Sequence, residues 1–241
     1  MGNLIIDIGN TAVKASFTEG TTLGKTFRYQ GERVKNFILS LTAREKPLVM
    51  VISSVYEISK TDEHCYQKEC GKLVILDQAH TQVLRKYSLP EWITYDRAAS
   101  LIAVRHLFKG KGITVIDFGT TLTVDFISSE GEYEGGNISV GCRTRFKAIN
   151  RYSRALPLLD TPVYTPLLGC SFDTSISSGI ISGIMFEISG YISLKQDNIV
   201  VFTGGDANFF AKRIKNSIFV ICNLVLMGFA LIADGYVNEK N

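Results

Sequence analysis

An unbroken apolar run, Leu4-Ile5-Ile6, leads into Asp7. Beyond the turn Gly9-Asn10-Thr11 the chain alternates, with Val13, Ala15 and Phe17 on one side and Lys14 and Ser16 on the other. The run predicts a short buried strand, and the alternation a second strand with two unlike faces. Together they predict a hairpin whose tip, Gly9-Asn10, tolerates positive φ. The pattern returns 110 residues later (117 minus 7), where Ile113 to Ile116 run into Asp117. After the turn that follows, Leu122, Val124 and Phe126 alternate with Thr121, Thr123 and Asp125. Between the two copies, Val34, Phe37, Ile38 and Leu41 recur at helical spacing over 33–42. Strands are expected over 48–53 and 73–76, and Leu101, Val104 and Phe108 mark a helix over 97–108. After the second copy come a loop at 134–137, a helix from about 144 to 154, a glycine-spaced apolar helix over 177–194 and a strand over 199–202. Thr203-Gly204-Gly205-Asp206-Ala207 then opens a helix, with Asp206 as its expected N-cap.

Strands alternating with helices in both halves predict an α/β fold. The repeated opening predicts two similar domains, 1–112 and 113–241, with Lys109-Gly110-Lys111-Gly112 as linker. The stretch 217–233 is strongly apolar but short, and holds Asn223 and Gly228. It is expected as buried strand and helix, so no membrane partner is expected.

Composition changes this picture little. Hydrophobic residues at 46% and charged residues at 20% are enough for a packed core, and a net charge of +3 argues for no nucleic-acid partner. The five cysteines are odd in number and none sits in a Cys-x-x-Cys pair; Met1-Gly2-Asn3 offers no basic leader. The expectation is a cytoplasmic protein with free thiols. His64, Cys65 and Cys70 fit no common zinc spacing.

The chemistry lies in the turns. An aspartate at a strand end can face a metal ion, and the glycine turn after it can present N–H groups and a hydroxyl to phosphate oxygens. Two such turns, with Gly204-Gly205 following a third strand, point to a bound nucleoside triphosphate. The chain has neither a P-loop signature nor a Gly-x-Gly-x-x-Gly turn. The duplicated turns resemble, at the level of fold, the two-domain phosphotransferases typified by sugar kinases, actin and Hsp70. That resemblance implies an α/β fold of two ribonuclease-H-like domains with a nucleotide cleft between them. A further cluster, Tyr87 to Arg97, places Asp96 and Arg97 where a loop enters a helix. An acid there can take a hydroxyl proton during phosphoryl transfer, beside a cation that anchors an anion; a helix cap with a solvated arginine is the simpler alternative.

The motifs, in order, resemble type III pantothenate kinases. Asp7-x-Gly9-Asn10-Thr11 matches that family's first turn, and Tyr87, Pro90, Asp96 and Arg97 match its Tyr-x-x-Pro-x-x-Leu-Gly-x-Asp-Arg segment. Asp117, Gly119, Thr120 and Thr123 match the second turn. Gly135, Gly136, Ile138 and Gly141 match its Gly-Gly-x-Ile-x-Pro-Gly loop, and Thr203 to Ala207 match Thr-Gly-Gly-Asp-Ala in full. The resemblance implies that Asp7, Ile8, Gly9, Asn10, Thr11, Ala12, Val13 and Lys14 hold ATP phosphates, with Asp7 serving Mg²⁺ through phosphate or water. It implies that Thr120 also touches ATP and that Asp96 is the proton acceptor. Tyr87, Thr94, Tyr95, Asp96, Arg97 and Thr174 would contact pantothenate. Asp117 would help hold a monovalent cation, K⁺ or NH₄⁺, and the protein would be a homodimer. The sequence departs from the family at Thr94 (glycine there), Thr121 (alanine), Val140 (proline) and Asp173 (asparagine). Two other readings stay open on the residues: a kinase of the same fold acting on another small alcohol or sugar, and a nucleotide-binding regulator without turnover.

Overall fold

Leu4, Ile5 and Ile6 are all fully buried, because their strand lies mid-sheet with helices on both faces. The structure, a computed structural model, describes residues 2–43 and 45–238. β1 (Asn3–Ile8) pairs antiparallel with β2 (Val13–Glu19), and β2 with β3 (Thr22–Tyr29). After α1 (Val34–Thr42), β4 (Val49–Ser54) joins the other side of β1 in parallel. After α2 (Lys60–Lys68), β5 (Lys72–Leu76) joins β4 in the same sense. α3 (Gln82–Lys86) and α4 (Tyr95–Leu107) follow. The sheet order is β3-β2-β1-β4-β5.

The second half rebuilds that sheet. β6 (Ile113–Phe118), β7 (Thr121–Ile127) and β8 (Tyr133–Val140) form the antiparallel part, and α5 (Cys142–Tyr152) and α6 (Phe172–Leu194) follow. β9 (Ile199–Gly204) then lies parallel to β6. After the short α7 (Ala207–Ala211), β10 (Ile218–Val220) lies parallel to β9. The order β10-β9-β6-β7-β8 is the first sheet's order repeated strand for strand.

The chain forms two compact units, Met1–Leu107 with Leu224–Asn241, and Phe108–Asn223. A single cut after residue 112 therefore misplaces α8 (Leu224–Asn238), which belongs to the first unit and packs on α4, β1 and β4. Six apolar residues of α8, Leu224, Leu226, Phe229, Ala230, Ile232 and Ala233, are buried. Their apolarity demands a covering face, but nothing local says which sheet supplies it. Gly228 sits where α8 meets α4; a Cβ there would stand 2.0 Å from the carbonyl oxygen of Ala99.

In the first unit Leu4, Ile6, Ile8, Val13 and Ala15 pack with Ile38 of α1 and Tyr66 of α2. The polar side of β2 is not solvated: Ser16 and Thr18 are buried too, on a sheet that α8 also touches at β2 and β3. In the second unit Ile116, Phe118, Leu122, Val124 and Phe126 pack against α5 and α6. α6 is long and apolar enough to cross a membrane, yet its Ile176, Ile180, Ile181, Ile184, Ile188 and Ile192 lie in this core.

Several elements differ from expectation. β3 and α2 carry no strong periodicity and were not foreseen. Residues 134–137 form part of β8 rather than a loop: Gly136 pairs with Asp125 and Asn137 with Val124. β8 is an edge strand, where glycine is tolerated. α6 starts at Phe172, before the expected 177, because Ser171 and Thr174 form a capping box. The hairpin tip needs no positive φ at Gly9 or Asn10. Ser88 is the one non-glycine with positive φ among the described residues.

Candidate active site

Asp7 occupies the end of β1, opposite Lys14 on β2 and beside Ser53 on β4. The parallel strands end here, which is where open α/β sheets place their ligands. The Gly9 N–H donates to the Ala12 carbonyl at 3.2 Å and closes the turn, leaving Asn10 and Thr11 exposed at its tip. Ile8 and Val13, both expected at the phosphates, send their side chains into the core; only their backbone belongs to the turn.

Asp96 is exposed in the first turn of α4, and one of its oxygens accepts the Arg97 N–H at 2.9 Å. Its charge reaches Asp7. Burial and then the Asp96 carboxylate push the Asp7 carboxyl up to about 6, against the opposing pull of Lys14. Two acids from opposite ends of the first unit's sequence therefore share one electrostatic site. Carboxylates crowded this way favour a cation between them or a proton on one of them.

The other residues of the cluster serve a different purpose. Tyr95 is buried, and its hydroxyl donates to the His80 carbonyl; burial pushes that phenol well above its usual range. Its side chain anchors the head of α4. Arg97 is also buried, with its guanidinium 5.6 Å from the Trp92 ring centre. The Tyr87 carbonyl accepts from Arg105 at 2.7 Å, and its hydroxyl lies close against Gly235 of α8. Thr94 is exposed, and its carbonyl accepts the Ala98 N–H that opens α4. Its φ is not positive, so threonine replaces the family's glycine there without backbone strain.

Asp77 carries no signal in the sequence. This buried carboxylate follows β5 and accepts from the Ala79 N–H at 3.0 Å, with the His80 Nδ1 at 2.7 Å. It pins the loop whose His80 carbonyl holds Tyr95, yet Leu76-Asp77-Gln78-Ala79-His80 reads as an ordinary strand exit.

The second unit carries its own turn. Asp117 ends β6 between Thr123 on β7 and Thr203 on β9. Gly204 has φ +91, and a Cβ there would stand 2.4 Å from the Asp117 Oδ1, so only glycine fits beside that carboxylate. Gly119 donates to the Thr121 carbonyl at 3.0 Å, closing the turn around exposed Thr120. α7, expected to offer a positive helix end, has only five residues, and Asp206 makes no side-chain cap bond. Burial raises the Asp206 carboxyl, with Arg143 opposing. Thr174 is also in the second unit, where its hydroxyl accepts the Cys170 and Ser171 N–H groups at the head of α6.

Two sheets of identical order, each with an Asp-x-Gly turn on its leading hairpin, define the ATPase fold of the actin, Hsp70 and sugar-kinase class. Solved structures agree at the level of fold. A Campylobacter jejuni protein assigned to the Baf family of transcriptional activators is 23% identical with a TM-score of 0.66, over 98% of this chain and 99% of that one. A ROK hexokinase from Thermus thermophilus is 12% identical with a TM-score of 0.55, over 100% of both chains.

Within that class the chain belongs to the type III pantothenate kinase family, whose model matches residues 3–194. It is 38% identical to the type III pantothenate kinase of Phocaeicola vulgatus over 234 residues, covering 94% of this chain and 95% of that one. It is 35% identical to that of Cytophaga hutchinsonii over 230 residues, covering 94% and 96%.

Proposed function

We propose that this protein transfers the γ-phosphoryl group of ATP to the primary hydroxyl of pantothenate. The product is 4′-phosphopantothenate, and the reaction is the first step of coenzyme A biosynthesis. Family membership over most of the chain supports this reading. The placement of Asp7 where the parallel strands end, opposite Lys14, is the single structural observation that carries the phosphate-site reading.

Asp96 orients the acceptor hydroxyl and takes its proton. Exposed at the head of α4, it can reach a ligand, unlike the buried Tyr95 and Arg97 beside it. Arg97 and Tyr95 hold that helix head in place, and Tyr87, Thr94 and Thr174 complete the acceptor contacts. Lys14 and the turn from Asp7 to Ala12 hold phosphate oxygens, and Thr120 contacts the nucleotide from the second turn. Asp7, raised first by burial and then by the Asp96 carboxylate, fits a site for a divalent cation, whose charge would favour the ionised acid. Bound Mg²⁺ supplies neutralisation of the β- and γ-phosphate charge. Asp117 serves a monovalent cation, K⁺ or NH₄⁺.

The working form is a cytoplasmic homodimer. Val163, Tyr164, Leu167, Leu168 and Phe172 are strongly exposed along one segment of the second unit, more apolar surface than a lone protein commonly shows in one run. A second copy is the occupant that fits, and a monomer mass in sedimentation at micromolar concentration would remove it.

Asp96→Asn tests the mechanism. The variant should fold and bind ATP, with turnover reduced about 100- to 10,000-fold, the usual contribution of a positioned acid or base. Turnover near the parent's would take Asp96 out of the role.

A further inference from the structure

The second turn is braced from outside by α5. Gly141, at the N-cap of α5, donates its N–H to the Thr120 carbonyl at 3.1 Å. The Thr144 hydroxyl donates to the same carbonyl at 2.9 Å. The approach is close enough that a Cβ on Gly141 would stand 2.1 Å from the Gly119 carbonyl oxygen. Whatever fixes the first turn of α5 therefore fixes the turn that carries Thr120.

Arg145 does that fixing. Its Nε donates to the Val140 carbonyl at 2.7 Å, immediately before Gly141. Its Nη2 donates to the Ser139 hydroxyl at 3.2 Å and pairs with Glu187 of α6. Ser139 in turn donates to the other Glu187 oxygen at 2.6 Å. Both charged side chains are only about a fifth exposed, at 22% and 20%, so the pair is shielded from salt and solvent. A guanidinium fork can hold a carbonyl, a hydroxyl and a carboxylate at once; an ammonium cannot match that planar arrangement. Val140 stands where the family has proline, so the fork pins a carbonyl whose own residue lacks a fixed φ.

We infer that Arg145 is a positioning residue for ATP: clamped to Val140, Ser139 and Glu187, it sets the first turn of α5 and, through Gly141 and Thr144, the geometry of the Gly119–Thr121 turn. The inference rests on the reading of that turn as an ATP contact. It adds a role for residues that touch neither substrate.

The test is steady-state kinetics of four single variants, Arg145→Ala, Thr144→Val, Thr144→Ser and Thr120→Val, with thermal melting alongside. Arg145→Ala should raise the KM for ATP about tenfold, as loss of a charged hydrogen bond commonly does, while the KM for pantothenate at saturating ATP stays within twofold. Thr144→Val should raise the KM for ATP several-fold, and Thr144→Ser, which keeps the hydroxyl, should restore it. A lower melting temperature for Arg145→Ala without an ATP-specific change would overturn the inference and leave the ion pair as structural. Thr120→Val, which removes the hydroxyl expected at the nucleotide, separates the failures. If it too leaves ATP kinetics unchanged, the turn itself is not an ATP contact. If it alters them while Arg145→Ala does not, only the bracing role is lost.

Discussion

At the scale of single residues, the most consequential property of the site is the uneasy charge of Asp7. Its carboxyl is held at about 6 in the fold, against an ordinary 3.8. Between those values the native state binds more protons than the unfolded chain. Stability therefore falls as pH rises through that window and stays lowered above it. The difference corresponds to about 3 kcal/mol, an upper figure for a carboxylate that keeps some solvent contact. Asp7→Asn removes the charge and should melt higher than the parent at about pH 7.5, the gap closing below about pH 4. A melting series across that range, without nucleotide or divalent metal, checks it; an equal gap at every pH would contradict it. Asp7 and Asp96 were legible as chemistry-bearing residues because each sits where an element begins or ends. Their mutual coupling was not legible, since 89 residues (96 minus 7) separate them and only the fold brings the two carboxylates within electrostatic reach. The pantothenate contact that the resemblance implied at Tyr95 gave no hint that its hydroxyl is committed to the His80 carbonyl, which only the fold reveals.

At the scale of elements, the apolar patterning gave both leading hairpins with their faces. Val13, Ala15 and Phe17 face the first core, and Leu122, Val124 and Phe126 the second. Periodicity failed where a segment lacks a one-sided apolar face. β3 is largely exposed, α2 buries only Tyr66, and Gly135-Gly136 disguise β8 as a loop. The contact of α8 with α4 was equally invisible, because two apolar helices meet there without a marker except Gly228. Adding one methyl at Gly228 would force the helices apart, since that Cβ would stand 2.0 Å from the Ala99 carbonyl oxygen. Gly228→Ala should lower stability by about 1–3 kcal/mol, the usual cost of overpacking. Thermal melting checks this, and an unchanged melting temperature would mean that α4 and α8 adjust freely. α4 carries Asp96, so turnover should also fall in this variant before the fold is lost.

For the whole molecule, the duplicated sheet is what the sequence announced most clearly, through two copies of one strand–turn–strand pattern. Evolution of the chain by duplication would explain why two five-stranded sheets repeat one order. The duplication is imperfect where function divides: the first unit bears the acid pair, the second the braced turn beside Asp117 and Gly204. The return of α8 to the first unit breaks the linear division after residue 112, and with it the simplest account of which half is which. The central claim concerns catalysis by the assembled protein. The most direct measurement is ADP release by the purified protein with Mg²⁺-ATP, with and without pantothenate, in K⁺ and again in Na⁺ alone. The account predicts release that requires pantothenate and is strongest in K⁺. ATP binding without pantothenate-dependent release in either salt would contradict it.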